Sequence, residues 1–179
     1  MKKKTKEFIQ HLSHEMDDEH GAEDYLDESL PLIGLVVMYF NGLEKALDSL
    51  ICETINERSD SPGLLVVQKI AYSAKVDLFR RFCEDFHTSF EAPVPGFTEL
   101  ISTLTETGQL RNLVVHADWE NTDHEGYTFV RIKTAQGVMQ QEYVQFSPES
   151  LERLIEKILE GRRQLEVYWE RRAELLYRT

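Results

Sequence analysis

A chain of 179 residues, 41% of them hydrophobic, has the length of one domain and enough apolar mass for a core, which excludes global disorder. Its net charge of −12 excludes long-range steering toward nucleic acid, because phosphate binding draws on Lys and Arg and an acidic surface opposes it. Its two cysteines, Cys52 and Cys83, sit among apolar residues with no CxxC pair and no zinc-like spacing. They read as reduced core thiols of a cytoplasmic protein.

The start, MKKKTKEFIQ, is basic and lacks the apolar stretch of a signal peptide. The longest near-apolar run, Leu30 to Phe40, falls short of the roughly 20 residues that cross a bilayer. The expectation is a soluble protein with no membrane partner. Basic residues gather at Lys2 to Lys6 and along the last helix (Arg162, Arg163, Arg171, Arg172 and Arg178), so a local basic patch is compatible with the acidic total.

Residues 1–22 read as a basic and then acidic extension, in which Phe8, Leu12 and Met16 recur at i+4 and predict a short helix. Residues 23–179 read as one helical domain. Its first long helix is expected over 29–57, with Phe40, Leu43, Leu47, Leu50 and Ile51 as the apolar stripe and Pro31 near its first turn or kinking it. RSDSPG breaks the chain, with Ser61 as N-cap and Pro62 at N1. A second helix over 62–87 buries Val66, Ile70, Phe79, Phe82 and Phe86. After APVPG a third covers 97–117, with Leu100, Leu104, Leu110, Leu113 and Val114 inward. YTFVRIK and VMQQEYVQF are β-rich, and TAQG between them predicts a hairpin that needs the helices to pack on. Ser147 caps a last helix, with Pro148 at N1, that runs to about residue 177. The expected fold is mainly all-α: a four-helix bundle with a β-hairpin between the third and fourth main helices.

RNLVVHADW, Arg111 to Trp119, carries the most specific signal. At 100° per residue, Leu110, Leu113, Val114 and Ala117 share a core arc of about 100°, which leaves Arg111, Asn112, Val115 and His116 on the other side. Asn112 and His116 are helical neighbours, whereas Arg111 and His116 lie about 140° apart around the axis. The three polar groups converge if the helix unwinds near His116 or if a second copy faces it. Val115, on the outer side, also favours a covering partner. Chemically the set suits phosphodiester cleavage without metal or other cofactor. His116 is an imidazole, whose ordinary pKa of about 6.5 fits acid or base work near neutrality. Arg111 offers a planar fork to phosphate oxygens and developing charge, and Asn112 can orient the imidazole or donate to phosphate. With RNA as substrate, the 2′-hydroxyl attacks and leaves a 2′,3′-cyclic phosphate.

Arg111–Asn112 and His116 resemble the Arg-x4–6-His motif of the HEPN (higher eukaryotes and prokaryotes nucleotide-binding) family, whose second position is typically polar. The resemblance extends over most of the chain, with FNGLEKAL in the first long helix and the motif at the end of the third. It implies a HEPN-like bundle, a homodimer with two motifs facing one cleft, and metal-independent ribonuclease activity in toxin–antitoxin or phage-defence settings, with a protein antitoxin or regulator as a further partner. Some members of the family only bind or scaffold. Some toxins of the family carry a modifiable Tyr two residues after the His; this chain has Asp118 there, which puts that regulation in doubt.

Other candidates each have a plainer alternative. Arg81 and His87 fit the same spacing but sit mid-helix, with Phe82 in the second position, and read as a decoy. Glu44 lies on the apolar stripe, where an unpaired carboxylate is costly. It reads as a residue supporting the site, with Arg111 a candidate partner, or as a structural ion pair. Trp119 is a stacking candidate for a base or a cap on a core or dimer contact. His11 and His14 beside Glu15 have a metal-compatible spacing without a third ligand. Two readings compete: a dimeric endoribonuclease, and a non-catalytic nucleotide- or protein-binding scaffold, which the negative charge suits better.

Overall fold

The computed structural model describes residues 1–9 and 19–177. The elements in chain order are β1 (Lys3–Glu7), α1 (Glu19–Ile55), α2 (Ser61–Val67), α3 (Tyr72–Ser89), α4 (Phe97–Val115), β2 (Asp118–Thr122), β3 (Tyr127–Ala135), β4 (Val138–Gln145) and α5 (Pro148–Tyr177). The protein is mainly helical, with a small four-stranded antiparallel sheet. It divides into two compact units, Met1–Val37 with Leu110–Ile155, and Met38–Gln109 with Glu156–Thr179.

The first unit holds the sheet, in the order β1-β4-β3-β2. The β3–β4 hairpin forms where alternation predicts it and closes through Gln136 and Gly137, both at positive φ (51° and 80°). Two left-handed residues make the tight turn whose twist suits a hairpin, and Gly tolerates that conformation without penalty. Two strands differ from the sequence expectation. Where Phe8, Leu12 and Met16 predict a helix, residues 3–7 form β1 and pair with β4, from Lys3 opposite Val144 to Glu7 opposite Gln140; Leu12 and Met16 lie outside the described residues. β2, the polar stretch DWENT, joins β3 through an irregular register between Asp118 and Thr122.

Cross-strand chemistry explains how so polar a β1 holds its place. Lys4 Nζ lies 2.5 Å from Asp123 Oδ2 and 4.3 Å from the centre of the Tyr127 ring. Glu142, in the central strand β4, is buried between its neighbours and meets Arg131 and Lys133 of β3 and Lys3 of β1. Val144, Phe146, Leu151 and Leu154 supply buried apolar mass beside the sheet. Tyr25 donates its hydroxyl to the Phe146 carbonyl. Ser147 caps α5 as expected, accepting from the Ser150 amide at 3.3 Å.

In the second unit, Phe40, Leu43, Leu47 and Ile51 of α1 are fully buried, as their spacing predicts. The helix itself starts at Glu19, ten residues before the expected start at 29, so Pro31 lies inside it. By length and composition alone Glu23–Ile55 is apolar enough to cross a membrane; the core helix of a globular protein meets the same criterion.

The predicted single helix over 62–87 is two helices, α2 and α3, separated at Ala71, which is extended (φ −68°, ψ 155°). Tertiary contacts override the continuous apolar pattern. Gly63 of α2 lies so close to α1 that a Cβ there would meet the Cys52 Cα at 2.5 Å. The Tyr72 ring packs on Gly108, and its hydroxyl donates to the Leu104 carbonyl at 3.2 Å. One straight helix has no way to satisfy both contacts. Val66 consequently is not in the core: it is exposed with Leu64 and Leu65. Cys52 and Cys83 are buried and free, and burial pushes the Cys83 thiol up to about 11, which leaves it protonated and unreactive.

Candidate active site

α4 ends at Val115, and the chain turns at His116 into β2. The His116 amide still donates to the Asn112 carbonyl at 3.1 Å, so helical spacing carries one residue past the helix. That bond keeps the Asn112 and His116 side chains on neighbouring positions of one face. Both are exposed, and Arg111 is half-buried. Arg111 reaches round the helix to donate through Nη1 to Asn112 Oδ1 at 3.1 Å. Asn112 is therefore the hinge of the set: its side chain holds the guanidinium and its carbonyl holds the backbone of the imidazole-bearing residue. The contact that joins the set is Arg111 to Asn112, with His116 attached through the backbone.

Val115 is 36% exposed at the same helix end, the outward position expected from its place on the helical arc. Trp119 is half-buried, donates through Nε1 to the Val114 carbonyl at 2.9 Å and lies 5.2 Å, ring centre to ring centre, from Phe146. A helix leaves its last carbonyls without internal donors, and Trp119 satisfies one of them. The ring's contact with buried Phe146 sets Trp119 against the core, and the hydrogen bond fixes the turn on which His116 sits. Trp119→Phe is expected to lower stability by about 1 kcal/mol, the value of one net hydrogen bond. Urea titration checks it.

Glu44 is positioned differently from the expectation. Its cation is Lys75, at 2.7 Å, rather than Arg111, and Lys75 also meets Asp48 at 2.9 Å. Lys75 is almost fully buried, and its partners are about three-quarters buried. Burial pulls the Lys75 ammonium down, but its hydrogen bonds to Glu44 and Asp48 outweigh that and raise it above its ordinary value. This is the structural ion pair that the sequence allows for Glu44.

The decoy pair has separate duties. Arg81 pairs with Asp77 at 2.8 Å. His87 Nε2 shares a hydrogen bond with the Tyr168 hydroxyl at 3.1 Å and packs edge-on against Phe97. Burial holds the His87 imidazole below its ordinary pKa, so the fold favours its neutral form. A depressed histidine lends stability that is complete above the unfolded value, near 6.5, and declines as pH falls through the folded value. His87→Phe is expected to flatten the dependence of the urea midpoint on pH below about 6.5.

Among the described residues no group of three or more His, Cys, Asp or Glu side chains converges as a metal site; His11 and His14 lie outside them. No family model, no curated protein and no solved structure matches the chain.

Proposed function

We propose that the chain is a metal-independent endoribonuclease of the HEPN type, acting as a cytoplasmic homodimer. The observation that supports this most is the geometry of one exposed helix end. A half-buried guanidinium is tethered to Asn112, and an imidazole sits one helical turn beyond on the same face. In the reaction, His116 takes the proton from the ribose 2′-hydroxyl as its oxygen attacks the adjacent phosphorus. The 5′-oxygen of the next nucleotide leaves and takes up a proton from a second imidazole, which a second copy of the chain provides. Arg111 balances the negative charge that builds on the non-bridging oxygens, and Asn112 holds that guanidinium in position. The bonds balance without oxidant, reductant or metal: one P–O bond forms, one breaks, and a 2′,3′-cyclic phosphate remains.

The test is incubation of single-stranded RNA with the chain in EDTA, comparing wild type with His116→Ala. Cleavage that vanishes in the variant supports the reading; equal behaviour of the two proteins overturns it. One observation favours a second reading. The charge of −12 suits a protein or small nucleotide partner better than long RNA, as a non-catalytic scaffold would require. That reading predicts no growth arrest on expression and partner binding that His116→Ala leaves intact.

A further inference from the structure

An acidic chain does not gather RNA from a distance, so any RNA contact it makes falls to cations fixed locally. Several of the cations in the described ion pairs are matched or outnumbered by carboxylates. Lys75 meets two, Arg80 meets Asp77 and Glu84, and Arg162 and Arg163 each meet a Glu on their own helix. The sheet reverses that proportion. Glu142, with its side chain 3% exposed, is approached by Lys133 Nζ at 2.5 Å, Arg131 Nε at 2.6 Å and Lys3 Nζ at 3.9 Å. Those three cations are 42%, 50% and 54% exposed in turn. Three positive charges against one negative leave an excess of two on this part of the sheet. The nearest other acid by register is Glu7, which shares the cross-strand row of Gln140 and Lys133, so the excess is greatest at the Lys3 and Arg131 end.

The register accounts for the cluster. Glu142 lies opposite Thr5 on one side and Arg131 on the other, so the cations come from both flanking strands. One buried carboxylate needs a single cation to neutralise it. Two more, each half-exposed and held in place by the same anion, form a preordered receptor for another anion. Arg131 uses its Nε on Glu142, which leaves the Nη donors of its fork for a phosphate.

We infer that this face of the sheet, through Lys3, Arg131 and Lys133 around Glu142, binds the phosphodiester backbone of single-stranded RNA. It rests on the ribonuclease reading, because it supplies the substrate contact that the acidic surface lacks, and it lies in the same compact unit as Arg111, Asn112 and His116.

The experiment measures binding of a fluorescently labelled 20-nucleotide RNA to the full chain by anisotropy across a salt series, with His116→Ala as background to prevent cleavage. Adding Lys3→Gln and Lys133→Gln is expected to weaken binding roughly tenfold and to reduce the salt slope by about 1.4, or about 0.7 for each lost single-strand phosphate contact. Loss of Lys133 bares part of a buried carboxylate, so a second comparison guards against misfolding. Glu142→Gln alone keeps all three cations and should bind RNA as well or better, and adding Lys133→Gln to it should weaken binding about threefold. Unchanged affinity and slope in folded variants overturns the inference. So does inorganic phosphate or a mononucleotide that competes as strongly, phosphate for phosphate, as the RNA. If wild type cleaves RNA while Lys3→Gln with Lys133→Gln leaves KM unaltered, only the sheet assignment falls. If the variants weaken binding but wild type never cleaves, only the catalytic reading falls.

Discussion

His116→Ala is expected to lower kcat/KM for single-stranded RNA by about 10²- to 10⁴-fold, the usual contribution of one positioned acid or base. Arg111→Ala should cost about 10²- to 10³-fold, as loss of one donor to transition-state charge does. The two are expected to share part of their effect, because residues that act as one unit are not additive. Asn112→Ala should fall between wild type and Arg111→Ala, since it frees the guanidinium from its 3.1 Å tether without removing it. Arg111→Lys separates charge from shape: a lysine keeps the charge but lacks the planar fork, so recovery of less than roughly a tenth of the Arg111→Ala loss is expected. Because Asn112 and His116 are exposed, Asn112→Ala and His116→Ala should keep the wild-type unfolding free energy to within about 0.5 kcal/mol. A rate loss accompanied by no stability loss is the signature of a functional helix end.

The largest stability effect should come from Lys75→Met. Removing the cation leaves Glu44 and Asp48, each about three-quarters buried, as two carboxylates with no cation between them, at a cost of about 3 kcal/mol. Urea unfolding measures it directly. The triple replacement of Lys75, Glu44 and Asp48 by apolar residues of similar volume should recover most of that loss, since the penalty lies in the stranded charges. The wild-type pair also sets a pH dependence. The folded Lys75 value is raised, so its contribution is complete below the unfolded lysine value of about 10.4 and is lost as pH rises through the folded one. Above that window wild type should approach the stability of Lys75→Met, since both then hold Glu44 and Asp48 without a cation.

The parts of this molecule legible in its sequence are those where local pattern and tertiary packing agree. The stripe Phe40, Leu43, Leu47 and Ile51 repeats at helical spacing and is buried. The turn at Gln136–Gly137 and the Ser147 cap follow from local backbone chemistry. What the sequence conceals depends on remote contacts. β1 reads as part of a basic extension with a short helix because its partners, Asp123, Tyr127 and Glu142, lie more than a hundred residues away. Its alternation becomes meaningful only once β4 is placed beside it. The break at Ala71 depends on Gly63 meeting Cys52 and Tyr72 meeting Gly108, contacts that no window of the apolar run LLVV contains. At the candidate site, periodicity places Asn112 and His116 on one face and Val115 outward. It does not tell that Trp119 turns back to cap the helix, or that the partner of Glu44 is Lys75.

End-group analysis of the cleaved RNA tests the catalytic assignment most directly. A short single-stranded RNA of defined sequence, incubated in EDTA with wild type, Arg111→Ala and His116→Ala, is examined by mass spectrometry. The expected result is a 2′,3′-cyclic phosphate on the wild-type fragment and intact RNA with both variants. Intact RNA in every reaction, or identical fragments from all three proteins, would contradict it.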